Sequence, residues 1–330
     1  DMMFNDSYAY RASMSTTMRS HFRQASDSFK KSFNPKNILE IGSNDGVFIK
    51  NFDNKNTVAV EPCGNFAKIT NEAGYKTYNN FWNMETSNRI KDESGKKDLV
   101  FSANCMCHIP DISEAFSSVR EILSEGGVFI FEDPSLSEMI DRVSYDQIYD
   151  EHAHIFSALS LSKILSEVGL EIFKIEKLNV HGGSHRIYAS HKSQFPIDKS
   201  VSDTLALEKE MGLDEMETYK VFAKNVKLSR ERLVNTLRSI KDTGKKIVSY
   251  GATSKSTTIF NYCKIGTDFI DYIVDTTPEK QGKISPGMHI PIISPEEGFD
   301  QSVDFAFLGA WNFSKEIIKK ESDFCERGGK

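Results

Sequence analysis

The chain has 330 residues, 39% hydrophobic and 27% charged, with a net charge of −6. That length accommodates two domains of ordinary size, each with its own core. No apolar run approaches the ~20 residues that cross a bilayer, the polar start DMMFNDSYAY is no signal peptide, and basic blocks are lacking. The expectation is a cytoplasmic chain with neither membrane nor nucleic acid as its partner.

Five cysteines, Cys63, Cys105, Cys107, Cys263 and Cys325, are scattered along the chain. An odd, dispersed set suits free thiols in a reducing compartment better than a disulfide framework. Cys105 and Cys107 have CxC spacing, but no second pair completes a zinc site, so both read as buried thiols. The final CERGGK stops after a turn signal where a further strand is expected. The start lies inside a polar aromatic segment. Both ends read as trimmed.

The stretch NILEIGSNDGVFIKNF reads as a buried strand, Ile38 to Ile41, a glycine turn, and the start of a helix. Gly42 and Gly46 let the backbone approach a ligand, and a helix N-terminus adds exposed N–H groups. NTVAVEP is a second strand ending at Glu61, an acid placed to grip two ribose hydroxyls. A glycine turn and a distant acid would serve NAD as well as S-adenosyl-L-methionine. The order that follows decides between them. An apolar strand in DLVFSANCMCHIPD leads to Asn104 and His108, a helix covers Ser113 to Leu123, and LSEGGVFIFEDP is a Gly-Gly turn feeding another strand. This order resembles class I S-adenosylmethionine-dependent methyltransferases. A dinucleotide enzyme would more often show G-x-G-x-x-G, and Asn44 stands where its middle glycine belongs. A Rossmann-like domain without ligand is the bland alternative.

YDEHAHIFS, Tyr149 to Ser157, follows the fifth strand, and VHGGSHR, Val180 to Arg186, comes later. Methyl transfer to a hydroxyl or carbon acid needs a base, and a histidine is the usual one. His152 is the candidate, Glu151 its orienting acid, and Tyr149 a donor to a developing oxyanion. HGGSH suits a tight turn that sets His181 beside a ligand, with a plain hairpin turn as the rival. A metal reading draws on Glu151, His152, His154, His181 and His185. Histidines at i, i+2 share no helical face, however, and cysteine ligands are absent nearby. The expectation is no metal. His191 and His289 read as structural.

Ser200 to Lys241 is charged, with Leu228, Leu233 and Leu237 at helical spacing, and predicts one or two long helices. KKIVSYGATSKSTTIFNY begins a second strand–turn–helix unit. It is no Walker motif, because the glycine before Lys255 is missing. FIDYIVDTTPEKQG supplies a strand ending at Asp275, so a second Rossmann-like domain is expected.

Taken together, YAYRASMSTTMRSHF, EIGSNDG, ANCMCHIPD, IYDEHAHIFS, VHGGSHRIY, SYGATSKSTTIFNYC and VDTTPEKQGKISPGMHIPI resemble, in this order, the C-methyltransferases of nucleotide-linked 4-keto-deoxysugars. The resemblance spans nearly the whole chain. It implies an α/β fold, with a class I methyltransferase Rossmann-like domain followed by a second Rossmann-like domain. The segments expected are 1–35 contacting substrate, 36–199 the methyltransferase domain, 200–240 a helical connector and 241–330 the nucleotide-sugar domain. The implied cofactor is S-adenosyl-L-methionine, held by Glu40, Gly42, Asn44, Asp45, Gly46, Glu61, Pro62, Asn104 and His108. The implied reaction is methylation at C3, with His152 as base, Tyr149 and Glu151 as its partners, and His181 as the second-motif histidine. Tyr8, Tyr10, Ser184, Arg186, Tyr250 and Lys255 are the implied substrate contacts; the oligomeric state is not legible in the sequence, with which a monomer is compatible. Family members begin with a cysteine-rich zinc-binding domain, of which this sequence contains nothing. They tend to read GAPAKG and PWN where this chain reads GATSKST and AWN. Two rival activities stand beside this one: O-methylation of a sugar hydroxyl, and nucleotide-sugar binding without turnover.

Overall fold

The computed structural model describes residues 3–330. The chain divides into two compact units, Asp1–Glu138 with Glu151–Asp214, and Met139–Asp150 with Glu215–Lys330. The first holds α1 (Thr16–Phe33), β1 (Ile38–Ile41), β2 (Thr57–Val60), α2 (Gly64–Glu72), β3 (Lys76–Tyr78), α3 (Met84–Ser94), β4 (Lys97–Ala103), α4 (Ile112–Ile122) and β5 (Leu123–Pro134). Along α5 (Leu136–Arg142) the chain leaves this unit. It returns for α6 (Ala158–Glu167), β6 (Leu170–Leu178), β7 (Ser184–His191) and α7 (Lys199–Glu210).

Seven strands form one sheet in the order β3-β2-β1-β4-β5-β7-β6, parallel except for β7, which runs antiparallel to both β5 and β6. The central strands are covered on both faces, so they are mostly apolar: ILEI in β1 and TVAV in β2 are buried at every position, with Glu40 and Thr57 their polar members. Phe48, Phe101, Phe116, Phe129 and Phe131 fill the core. Ser15 caps α1 by accepting the Met18 N–H at 3.2 Å, and the helix buries Met18, Phe22, Ala25 and Phe29 at helical spacing.

Two local expectations fail. The glycine turn does not feed a regular helix; only a 3₁₀ turn forms at Ile49–Asn51. Asn51 donates to the carbonyls of Val47 and Phe48, and Asp53 caps a further 3₁₀ turn at Asn54–Asn56, so side chains take over the backbone groups a helix needs. The Gly-Gly pair is not a turn ahead of a strand. Gly126 (φ +73) lies inside the continuous β5, where pairing with β4 shifts register between Lys97 and Leu99, as at a bulge.

The second unit comprises α8 (Met216–Lys241), β8 (Ile247–Tyr250), α9 (Ser254–Cys263), β9 (Ile273–Val274), β10 (Ile292–Ile293), α10 (Pro295–Gly298), β11 (Phe305–Leu308), α11 (Ser314–Lys320) and α12 (Ser322–Glu326). Its four strands are parallel in the order β10-β9-β8-β11. The one or two long helices expected over Ser200–Lys241 are two, α7 and α8, and the unit boundary falls between them. No helix among the described residues is long and apolar enough to cross a membrane.

Candidate functional site

After β1 the chain turns through Gly42 (φ +73), Asn44 (φ +49) and Gly46 (φ +79). A Cβ at Gly42 would lie 2.7 Å from Cys105 Sγ, and one at Gly46 would lie 2.8 Å from Thr70 Cγ2, so both positions require glycine. Glu61, just beyond β2, clamps the turn. Its Oε2 accepts the Asn44 N–H at 2.7 Å and its Oε1 the Cys63 N–H at 2.9 Å. A ribose contact by Glu61 would use only its remaining lone pairs. Asn79 donates to the carbonyl oxygens of Glu61 and Pro62 at 2.9 and 2.8 Å, holding this corner from outside.

Glu40 and Glu61 are both buried, and burial raises both carboxyls above their ordinary values; the charge of Asp45 adds to the effect on each. Three carboxylates gathered beside a glycine turn suit a ligand that brings positive charge. S-adenosyl-L-methionine carries a sulfonium and an ammonium, and this edge fits it. The N-terminal segment lies over the turn. Ala12 N–H donates to Asn44 Oδ1 at 3.0 Å, Asn44 Nδ2 donates to the Tyr10 carbonyl at 2.9 Å, and the Ser13 hydroxyl donates to Asp45.

At the end of β4, Asn104 (φ +51) donates its N–H to the Glu132 carbonyl at 2.6 Å, and the 3₁₀ turn Met106–His108 follows. The His108 and His152 rings stack with centroids 5.4 Å apart and planes 22° from parallel; Phe4 stacks on the other ring, His108, at 5.4 Å. Tyr8 Oη donates to Glu151 Oε2 at 3.3 Å. Tyr10 keeps 41% of its surface exposed, while desolvation around its hydroxyl, with the charges of Asp45 and Glu151, raises it above its ordinary value. Burial likewise pushes Asp133, at the end of β5, up to about 7, against the pull of the Cys107 thiol and backbone.

Two consecutive residues after β5 receive both histidine motifs. Ser135 N–H donates to the Gly183 carbonyl at 3.1 Å, and Leu136 N–H donates to the Phe156 carbonyl at 2.8 Å. The HGGS stretch is a hairpin loop between β6 and β7, with His181 at φ +51 and Gly183 at φ +112. A Cβ on Gly183 would come 2.7 Å from Glu138 Cβ, so only glycine allows this docking. Ser184 is buried and donates to the Val180 carbonyl at 3.2 Å, holding the loop.

Arg186 reaches Glu132 at 2.7 Å and Glu176 at 3.0 Å. His154 faces the Pro110 carbonyl at 3.1 Å and stacks on Phe156. Burial lowers His185 to about 4, so it is neutral at pH 7, with Ser135 Oγ at 3.4 Å. A cysteine is nevertheless near: Cys107. Its Sγ, a His108 ring nitrogen and a His152 ring nitrogen lie within 4.8 Å of one another. Separation in sequence concealed that cluster. His191 faces the Leu123 carbonyl at 3.3 Å, and His289 sits in a turn at φ +53.

The second unit has its own recess, of about 260 Å³, lined in part by Tyr145, Asp146, Lys255, Ser256, Gly309 and Trp311. Thr253 and Ser256 form a capping box at the start of α9, which sets Lys255 in the first turn. Lys255 Nζ donates to Gln147 Oε1 at 2.9 Å and lies 5.3 Å from the centre of the Tyr149 ring. Trp311 Nε1 donates to Asp146 Oδ2 at 2.6 Å. Sequence reasoning missed Asp146 and Trp311. Tyr250 does not line the recess; its hydroxyl donates to Glu321 at 2.6 Å. Asp275 repeats the part Glu61 plays in the first unit, accepting the Ala252 N–H at 2.7 Å and the Thr277 N–H at 2.8 Å.

The family profile described as "Methyltransferase domain" matches residues 10–175, and that described as "C-methyltransferase C-terminal domain" matches residues 179–330. C-methyltransferase NovU of Streptomyces niveus is 32% identical over 336 aligned positions, covering 100% of this chain and 80% of the relative. Among solved structures, a methyltransferase of Thermotoga maritima aligns over 53% of this chain and 89% of its own, at 18% identity and a TM-score of 0.41. The CurJ carbon methyltransferase aligns over 56% and 57%, at 14% identity and a TM-score of 0.39. The sheet order with its single antiparallel strand, the acidic glycine turn, and these sequence matches across both units agree. The chain belongs to the C-methyltransferases, with S-adenosyl-L-methionine as methyl donor.

Proposed function

We propose that the chain methylates C3 of a nucleotide-linked 4-keto-deoxysugar. One observation carries this reading: a single N-terminal segment bonds both to the acidic turn, through the Tyr10 carbonyl, Ala12 and Ser13, and to Glu151 beside His152, through the Tyr8 hydroxyl. The cradle for a cationic donor and the segment with a candidate base therefore face one space, and transfer to carbon needs both there.

When bound, S-adenosyl-L-methionine supplies a methyl group made electrophilic by positively charged sulfur. Gly42 and Gly46 keep the turn open to it, and Glu40, Asp45 and Glu61 match its charge. The substrate's 4-keto group acidifies the neighbouring C3–H. A ring nitrogen of His152 takes that proton, and the enolate left behind is the nucleophile. Tyr8 fixes Glu151, and Glu151 orients the imidazole. Tyr10, protonated throughout the neutral range, donates to the oxygen on which charge develops. His181 completes the set in this reading. The nucleotide is assigned to the second unit, where Lys255 and the start of α9 offer positive charge to a diphosphate.

The test is solvent exchange. In D₂O the keto-sugar should lose its C3 hydrogen only when enzyme is present, as read by mass spectrometry or NMR. His152→Asn should abolish this while cofactor affinity, read by calorimetry, stays within about twofold, since general-base loss costs ~10²–10⁴ in rate rather than in binding. A sugar methylated on oxygen with its C3 hydrogen retained would instead establish O-methylation. A variant that exchanges normally would move the base to His181.

A further inference from the structure

We propose that the cleft holds a site for a borderline transition metal, built by Cys107, His108 and His152, and that Zn²⁺ bound there silences the enzyme. The three side chains offer one sulfur and two imidazole nitrogens, all within 4.8 Å of one another. Around a tetrahedral Zn²⁺, with Zn–S near 2.3 Å and Zn–N near 2.0–2.1 Å, such atoms stand about 3.5 Å apart. Side-chain adjustment of about an ångström closes the set.

Local structure already fixes two of the three. Cys107 and His108 are neighbours in one 3₁₀ turn, Met106–His108. The Cys107 carbonyl accepts the His154 N–H at 3.0 Å, which ties the His152 segment to that turn. The donor set selects the metal. Thiolate and imidazole suit Zn²⁺, Co²⁺ and Cu²⁺, whereas Mg²⁺ and Ca²⁺ require oxygen. Three protein ligands leave a fourth position for water, the arrangement of an open rather than a structural site.

Binding is balanced by one proton: the Cys107 thiol gives it up to solvent as the S–Zn bond forms, and no oxidant is involved. The inhibitory consequence rests on the reading of His152 as base, because the metal takes the lone pair that would accept the C3 proton. The binding itself does not depend on that reading.

The test uses the 330-residue chain freed of metal by a chelator and titrated with Co²⁺. One equivalent should produce the thiolate-to-cobalt charge-transfer band in the near ultraviolet. Cys107→Ala should lose that band although the other four cysteines remain. Zn²⁺ affinity, measured against a chromophoric chelator, should fall by more than about 100-fold in this variant, beyond the ~10–100-fold cost of losing an outer-shell partner. His152→Asn should weaken Zn²⁺ binding too, and excess Mg²⁺ should displace nothing. Absence of the band, or its persistence in Cys107→Ala, overturns the site. If the band forms but Zn²⁺ leaves methyl transfer intact, the site stands and the assignment of the base to His152 falls.

Discussion

Arg186 Nε donates to Glu132 Oε1 across 2.7 Å, with the two side chains 9% and 1% exposed. His21 Nε2 faces the other carboxylate oxygen at 2.6 Å, so one buried acid ties α1 to β5 and β7. Removing the guanidinium strands that acid. Arg186→Met should cost about 3–5 kcal/mol, read as a fall in the urea midpoint. The double variant Arg186→Met/Glu132→Gln should cost less than the sum of its singles. A loss under about 1 kcal/mol for the single change would show that the pair is not a structural support.

The same acid sets a low-pH limit. Burial alone would raise Glu132, but the hydrogen bond and charge of His21, with Arg186, outweigh it and hold the carboxyl below its ordinary value. A group lowered in the folded state adds stability that is present above the unfolded value, near ~4.3, and lost as pH falls through the folded one. Thermal midpoints should therefore drop below pH ~4, and less steeply in Glu132→Gln. Equal slopes would assign the acid limb to other carboxylates.

Lys97 acts in the opposite direction. It is 2% exposed, and burial, with the nearby charge of Lys76, lowers it to about 8. The unfolded chain keeps its proton up to ~10.4, so stability rises with pH between the two values and the full penalty applies below about 8. Lys97→Met should stabilise the protein by about 1–3 kcal/mol at pH 7 and flatten the alkaline limb of its melting curve. A destabilised variant would mean that the bonds from Lys97 Nζ to Ser94 outweigh desolvation.

Glu61 accepts two backbone N–H groups that shape the cofactor turn. Charge-assisted bonds of this kind contribute roughly 1.5–3 kcal/mol each. Glu61→Ala should therefore weaken S-adenosyl-L-methionine about 10- to 100-fold by calorimetry while His152-dependent chemistry persists at saturating cofactor. Unchanged affinity would remove Glu61 from the binding site.

Lys255 and Arg142 are the cations that line the recess of the second unit. Thermal-shift titrations with dTDP, GDP, CDP and UDP should show one preferred nucleotide. Lys255→Met should weaken it about tenfold, the loss expected for one charged hydrogen bond. If the variant binds as the parent does, the diphosphate lies elsewhere.

How far the chain can be read in advance depends on the reach of each interaction. β1 and β2 are legible because strands buried on both faces are rich in apolar residues, with Glu40 the one charge in them. The glycine turn and its acid are legible because chain geometry alone requires them. The helix expected after that turn fails because Asn51 and Asp53 divert its backbone bonds, a contest between neighbours that hydrophobic periodicity does not register. The partners of Arg186, Glu132 and Glu176, are not legible from its motif, because the sheet assembles them. Cys107 meets His152 only through the placement of the turn after β4 against the returning chain.

Glu208 on α7 accepts the N–H groups of Ala158 and Leu159, each at 3.0 Å, and so seals the start of α6 just downstream of the His152 segment. It is fully buried there. Anyone dissecting the gene to express the methyltransferase half should therefore place the stop codon beyond α7. A truncation at residue 199 would amputate this peg and leave the histidine-bearing stretch tethered at one end only.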